Sequence, residues 1–327
     1  MNDEFDMSTR VLFTGKGEVT TETFTLGDPG PGQVRLRTRV SLISAGTEGI
    51  VLHRKFSPGT HWDSWVKYPF FPGYSAISEI EAIGEGVDGL KVGDRVATRT
   101  GHATGNLVDA ARAYRVPDEL SDESAAWFAL AKIAYSGAQA AELRLGQRVL
   151  VIGAGPVGQM ALRWVVAAGA EAVALDPIQE RLAFAARTGA QTLCLAADAA
   201  GDAVRDAFGG QMPEVVIDST GYAPVFSAAL ALAADRGRVV ILGDTGSPEE
   251  QRLTPDVIRR RLSIVGAHDM HLPEVDASYR PFFRLAAAGR FAVEGLVTHR
   301  FRSTEAEEAY AMSARGREAM GVVFDWS

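Results

Sequence analysis

Around residue 150 the chain passes from a short apolar strand, Val149-Leu150-Val151-Ile152, through Gly153-Ala154-Gly155-Pro156-Val157-Gly158 and directly into an apolar-periodic helix. Three glycines at this G-x-G-x-x-G spacing constrain the fold more than any other stretch. The first permits a tight turn, the second lets a ligand approach the backbone, and the third lets helix and strand pack closely. Backbone N–H groups and the positive end of the helix then face an anion. Beyond this point apolar strands at 172–175, 214–217, 238–242 and 262–265 alternate with helices at 159–168, 180–188 and 224–234. Continuous apolar strands separated by helices require a parallel sheet covered on both faces, so the region predicts a doubly wound α/β domain.

Asp176 ends the second strand of this pattern, at the ~20-residue offset expected of a carboxylate that binds the adenosine ribose of a dinucleotide. The expected cofactor contacts are therefore Gly153, Gly155, Pro156, Val157, Gly158 and Asp176, with Thr220, Leu242 and Gly243 at the ends of two further strands lining the nicotinamide pocket. A carboxylate at Asp176 repels a 2′-phosphate and favours NAD over NADP. Arg181, one helical turn further on, tempers that preference because an arginine there accommodates the phosphate.

The first 120 residues are different in texture: short alternating runs at 33–40, 77–83 and 95–98 are punctuated by glycine and proline and predict β structure. At Ser121-Asp122-Glu123-Ser124 a polar helix start with acids in its first turn opens an Ala-rich helical stretch. We expect a β-rich first domain over 1–130, the doubly wound domain over 131–268, and a return to the first domain over 269–327.

Composition excludes several classes. A formal charge of −8 argues against a general affinity for nucleic acid or anionic membrane. No run approaches the ~18 apolar residues of a membrane span, and the acidic start, Met1 to Asp6, is not a secretory signal. The single cysteine, Cys194, excludes an intramolecular disulfide framework and any multi-cysteine zinc cluster. The expected location is cytoplasmic, and the expected partner a small-molecule substrate.

Several phrases in fixed order resemble one family: Ser44-Ala45-Gly46-Thr47-Glu48, Pro72-Gly73-Tyr74-Ser75, Val92-Gly93-Asp94-Arg95-Val96, the glycine loop, Asp218-Ser219-Thr220-Gly221, Leu296-Val297-Thr298-His299 and Glu307-Glu308-Ala309-Tyr310. Together they span nearly the whole chain and resemble the medium-chain dehydrogenase/reductase superfamily. The resemblance implies a GroES-like β-rich catalytic domain, a Rossmann domain, an active site in the cleft between them, and a homodimer formed through the Rossmann edge strand near 262–265. In the zinc alcohol dehydrogenases of that superfamily the first two phrases carry a cysteine and a His-Glu pair that bind metal. Here Ala45, Tyr74 and Ser75 stand in those places, and the third ligand position aligns with Lys132. The six histidines are scattered and show no i, i+4 pair. The expectation is a metal-free enzyme, and the wording of its first and last phrases looks most like a branch that includes hydroxyethyl-bacteriochlorophyllide dehydrogenases and sugar-associated bi-domain oxidoreductases.

Oxidising an alcohol requires removal of the hydroxyl proton and stabilisation of a developing alkoxide. Without zinc, Lys132 serves either as base or as a charged donor, and Tyr74 donates a hydrogen bond. By the resemblance, Thr47 relays the substrate proton. His268, at the C-terminal end of a predicted Rossmann strand, is a fourth candidate. Against these stand blander readings: Lys132 as a solvated helix residue, Tyr74 as a packed aromatic, Thr47 as a turn residue, His268 as a loop histidine, and Glu48 as the partner of an arginine. A segment at 56–69 with His61, Trp62 and Trp65 is read as either a substrate-binding loop or a core aromatic cluster. The expected function is hydride transfer between NAD and a secondary alcohol or ketone, such as a sugar or cyclitol. The alternatives are reduction of an activated C=C bond, as in quinone or enoyl reductases, and a non-catalytic nucleotide-binding protein.

Overall fold

The computed structural model of the chain describes residues 7–272, 276–317 and 319–327, so the acidic start over 1–6 lies outside the described residues. Two compact units emerge, Met1–Ala129 with Val293–Ser327 as the first and Leu130–Ala292 as the second.

The first unit begins with an antiparallel pair, β1 (Met7–Gly15) and β2 (Glu18–Thr25). Its main sheet is assembled from β3 (Gln33–Leu42), β4 (Ala76–Ile83), β5 (Arg95–Thr98), β6 (Gly105–Asp109) and the two-residue β7 (Tyr114–Arg115). In β3 the residues Val34, Leu36, Thr38 and Val40 alternate inward, as a period of two demands, and Val34 and Leu36 close a small core with Ile80 and Val96. A helix over Ala45–His53 follows β3, with Ser44 at its N-cap and Glu48 in its first turn. The helix start expected at Ser121 is present, with Ser121 Oγ accepting from the Ser124 N–H at 3.1 Å.

The second unit carries the parallel sheet: β8 (Arg148–Ile152), β9 (Glu171–Leu175), β10 (Gln191–Leu193), β11 (Val215–Asp218), β12 (Arg238–Ile241) and β13 (Ser263–Gly266), in the spatial order β10-β9-β8-β11-β12-β13. The chain leaves β10 and re-enters on the far side of β8, so the order reverses between β8 and β11. Ligands of open α/β sheets bind at the C-terminal ends of such a pair. Leu150, Ile152, Val173, Leu175, Val216 and Val239 from four central strands pack with Phe226 and Leu230 of the helix Ala223–Leu232 into one core. An interior this dry favours strands that are apolar on both faces.

After β13 the chain does not yet leave this unit. The helix Asp276–Ala287 packs through Tyr279, Phe282 and Phe283, and Phe291 packs on Trp164 of the helix Pro156–Ala167 with ring centres 4.6 Å apart. The buried Arg163 on the same helix donates to the Ala292 carbonyl. The expected return at 269 therefore falls at Val293, because the aromatic side chains of the intervening stretch are buried against Trp164. From there β14 (Val297–Phe301) and β15 (Gly321–Asp325) complete the first sheet, β15 lying between a parallel β14 and an antiparallel β3. Among the described residues no helix is long and apolar enough to cross a membrane.

Candidate active site

Each glycine of the loop after β8 has a distinct spatial reason. Gly153 sits at φ +90°, where an L side chain is strained, and a Cβ there would meet Ser219 Oγ and Thr220 Cγ2 at 2.8 Å. Gly158 is closer still: its Cβ would lie 1.9 Å from the Gly153 carbonyl oxygen. Gly155, the N-cap of the helix Pro156–Ala167, faces open space except for the guanidinium of Arg181, which would lie 3.8 Å from a Cβ at this position. Pro156 and Val157 form the first turn of that helix, which suits an anion at its N-terminus.

Asp176 is buried at the end of β9 and anchors the loop: Oδ2 accepts from the Ala154 N–H at 2.8 Å and Oδ1 from the Ile178 N–H at 2.8 Å. Arg181 Nη1 lies 3.6 Å from Oδ2. The carboxylate thus holds the glycine loop in place and keeps lone pairs at the adenosine end of a dinucleotide site. On β11, Asp218 accepts from the Thr220 N–H and hydroxyl at 2.9 and 2.6 Å, while burial pushes its carboxyl above the ordinary value. Gly243 follows β12 in backbone contact with Gly221, which is at φ +63°, and Leu242 is buried against Gly137. Thr220, Leu242 and Gly243 therefore share one sheet edge with the glycine loop. The backbone N–H groups at the helix N-terminus, the cradle left by the missing Cβ atoms and the buried Asp176 carboxylate beside them fit a nicotinamide dinucleotide.

Lys132 is not a solvated helix residue. It lies on the helix Phe128–Ala141 with only 6% of its surface exposed, its Nζ 3.3 Å from Asp269 Oδ2 and 5.6 Å from the ring centre of Tyr279. Removing one partner of such a pair leaves a buried charge uncompensated, which typically costs about 3–5 kcal/mol. His268 precedes Asp269 and is half exposed, with Nδ1 accepting from the Met270 N–H at 3.2 Å and lying 3.6 Å from Asp269 Oδ1.

In the first unit Tyr74 donates to Ser44 Oγ through a short contact and lies 3.4 Å from Thr47 Oγ1, while Arg99 stacks over its ring at 4.9 Å. Burial, outweighing the Ser44 and Thr47 hydrogen bonds, pushes the Tyr74 hydroxyl above its ordinary value, and the charge of Glu48 adds to the effect. Tyr74 is thereby held as a neutral donor. Glu48 does not pair with an arginine. Its carboxylate accepts from the Ser44 N–H at 2.8 Å, from the Tyr310 hydroxyl at 2.5 Å, and from His102 Nε2 at 3.1 Å. His102 Nδ1 meets Ser41 Oγ at 2.7 Å, and Ser41 accepts from Trp326 Nε1 at 2.8 Å. A neutral His102 with its proton on Nε2 satisfies every member of this buried chain. Sequence reasoning misses the network because Glu48, His102 and Tyr310 share no local spacing. In the aromatic segment, Trp62 is core and Trp65 is exposed, packed edge-on against Phe70.

The positions that the resemblance aligns with zinc ligands carry other side chains. Ala45 offers a methyl group, the Tyr74 phenol is hydrogen-bonded, the buried Ser75 hydroxyl donates to the Ala126 carbonyl at 2.5 Å, and the Lys132 ammonium is ion-paired. None is the thiolate, imidazole or carboxylate that zinc takes. Among the described residues no group of three or more His, Cys, Asp or Glu is placed to hold a metal ion.

Two family models match the two units in turn. The alcohol dehydrogenase GroES-like domain matches residues 30–118, and the zinc-binding dehydrogenase family matches residues 156–299. The chain belongs to the medium-chain dehydrogenase/reductase superfamily. Among the relatives of this medium-chain dehydrogenase, the uncharacterized zinc-type alcohol dehydrogenase-like protein YphC of Escherichia coli K12 is 26% identical over 93% of this chain and 94% of its own length. Human sorbitol dehydrogenase is 27% identical over 92% and 91%. In fold, the medium-chain dehydrogenase is similar to the alcohol dehydrogenase RspB of E. coli CFT073, solved with NADH, at a TM-score of 0.82 and 20% identity over 98% of this chain and 99% of that one. YphC is zinc-type by name, whereas this chain carries other side chains at the positions aligned with zinc ligands.

Proposed function

We propose that this medium-chain dehydrogenase interconverts a secondary alcohol and a ketone with NAD(H), without a catalytic zinc, on a polyhydroxylated substrate of the sugar or cyclitol kind. The observation that carries the reading is Lys132: a buried, ion-paired ammonium at a position aligned with a zinc ligand of the zinc alcohol dehydrogenases. The likeness to a sorbitol dehydrogenase supports the polyol class. The buried Asp176 carboxylate supports NAD over NADP.

Held by its pyrophosphate at the glycine loop, the dinucleotide would supply the hydride acceptor or donor at its nicotinamide end. Gly153, Gly155, Pro156, Val157 and Gly158 hold the pyrophosphate, Asp176 with Arg181 the adenosine ribose, and Thr220, Leu242 and Gly243 the nicotinamide end. Lys132 exchanges a proton with the substrate oxygen and stabilises negative charge on it. Of the two hydroxyl candidates in the first unit, Tyr74 already donates to Ser44 Oγ and lies beside Thr47 Oγ1. The reading also takes the enzyme to be a cytoplasmic homodimer joined at β13, supported by an edge strand that is hydrogen-bonded to β12 on one side.

The test is NADH formation from NAD across secondary alcohols, sugars and cyclitols with a chelator present, in the wild type and in Lys132→Met. Turnover that survives the chelator and falls by about 10²-fold or more in the variant is the expected result. Loss of activity on chelation overturns the metal-free reading. Silence on alcohols with reduction of enones or quinones moves the protein to the C=C reductases.

A further inference from the structure

Asp269 has one carboxylate oxygen on each side of a boundary between buried and exposed groups. Oδ2 lies 3.3 Å from the Lys132 ammonium, and Oδ1 lies 3.6 Å from His268 Nδ1. Lys132 and Asp269 are buried, whereas 54% of the His268 side chain is exposed. The three groups form a line from the second unit's interior to water, and all three come from Leu130–Ala292. We propose that Asp269 and His268 relay protons between Lys132 and solvent. The proposal rests on the reading of Lys132 as the group that exchanges a proton with substrate.

An ammonium has no lone pair and cannot accept a proton until it has given one away. Asp269 solves this: Nζ passes a proton to Oδ2, turning the ion pair into an amine beside a carboxylic acid. In a poorly hydrated interior the neutral pair competes with the ion pair, because separated charges there lack the solvation that favours them in water. The amine then accepts the substrate hydroxyl proton. An N–H bond forms, the O–H bond breaks, its electron pair stays on the substrate oxygen, and the hydride lost from carbon is taken up by the cofactor of the proposed reaction. A turn of the carboxyl about its Cβ–Cγ bond brings the acid proton to His268.

The imidazole is prepared for that role. Nδ1 accepts from the Met270 N–H, so it carries the lone pair, and Nε2 carries the proton of the neutral ring. Taking a proton at Nδ1 displaces the Met270 N–H and gives the imidazolium. The exposed ring then loses one proton to water and returns by exchange with solvent to the Nε2–H form that the Met270 N–H favours, so one proton reaches solvent for each alcohol oxidised. Reduction of a ketone runs the same line inward. Among the described residues, Tyr279, whose ring lies beside Lys132, and His271, whose ring centre is 6.2 Å from that of His268, face it.

Two measurements test the relay. In the intact protein, the imidazole signals are followed by NMR as a function of pH, with His268→Gln assigning the His268 signal. Coupling requires the His268 midpoint to fall by about half a pH unit or more in Asp269→Asn and to rise in Lys132→Met. A midpoint unmoved in both variants overturns the relay whether or not an alcohol substrate has been found. With a substrate in hand, His268→Gln is expected to lower kcat by about tenfold or more, to leave KM within about twofold, and to recover rate when imidazole is added to the buffer. A full rate without buffer dependence overturns the proposal equally. His268 is exposed, so this variant keeps its fold if Asp269→Asn does not. Absence of turnover by the wild type on every alcohol overturns the parent reading alone, and the NMR coupling still decides the relay.

Discussion

A methyl group placed on Gly158 would lie 1.9 Å from the Gly153 carbonyl oxygen, so Gly158→Ala forces helix and strand apart where the pyrophosphate would bind. We expect it to destabilise the protein by about 1–3 kcal/mol and to weaken NADH binding at least tenfold, as read by thermal melting and cofactor fluorescence. Tyrosines give a second prediction at this scale. Burial raises Tyr68 and Tyr74, and burial beside Glu48 raises Tyr310 well above the ordinary value. A folded-state value raised above the unfolded value near 10 means that the stability these groups contribute is present below about pH 10 and lost as pH rises through their folded values. Absorbance at 295 nm should show Tyr68, Tyr74 and Tyr310 among the last of the seven tyrosines to ionise, together with loss of far-UV dichroism. All seven titrating together without unfolding would refute it. Some residues announce such roles in the sequence and some do not. Gly153 and Gly158 are legible because their constraint is local, set by a strand and helix a few residues away. Lys132 reads like any lysine on an Ala-rich helix, because its burial depends on Asp269, contributed by a loop beyond the last strand of the parallel sheet.

Elements whose ends are written in short-range chemistry are the easiest to foresee. The helix start at Ser121 is one: its hydroxyl caps the Ser124 N–H, and Ser121→Ala should cost about 1 kcal/mol, measurable as a lower urea midpoint. The strands β3, β4 and β5 likewise lie within a few residues of the alternating runs that predict them. By contrast, the sequence signals the helix Asp276–Ala287 only near 285–289. Pro281 inside it reads as a breaker, and the stretch before it, rich in His and Pro, reads as a loop. Its aromatic residues outweigh that signal: Phe282 packs edge-on against Phe291 at 5.4 Å, and Phe291 in turn meets Trp164. Tertiary burial, inaccessible to local propensity, assigns this element to the second unit.

For the whole molecule, the proposed dimer predicts a solution mass of twice the chain by light scattering. Val265→Arg on the edge strand β13 should shift it toward the single chain, because it sets like charges beside each other across the joined edges. A monomeric wild type would refute the β13 interface. The arrangement of β15 has a consequence for how the protein is made. β15 is a central strand of the first sheet, seated between β14 and β3, yet it lies beyond the entire second unit in the chain. On the ribosome β3 therefore waits roughly 15–60 s for this neighbour at ordinary elongation rates. The parallel domain has by then been synthesised in full, so the first unit is the last to close. Until then only the end of β3, Val40 to Leu42, lacks its partner, because β6 already pairs with Gln33 to Arg37, and that short open edge is what a chaperone at the ribosome would have to shield.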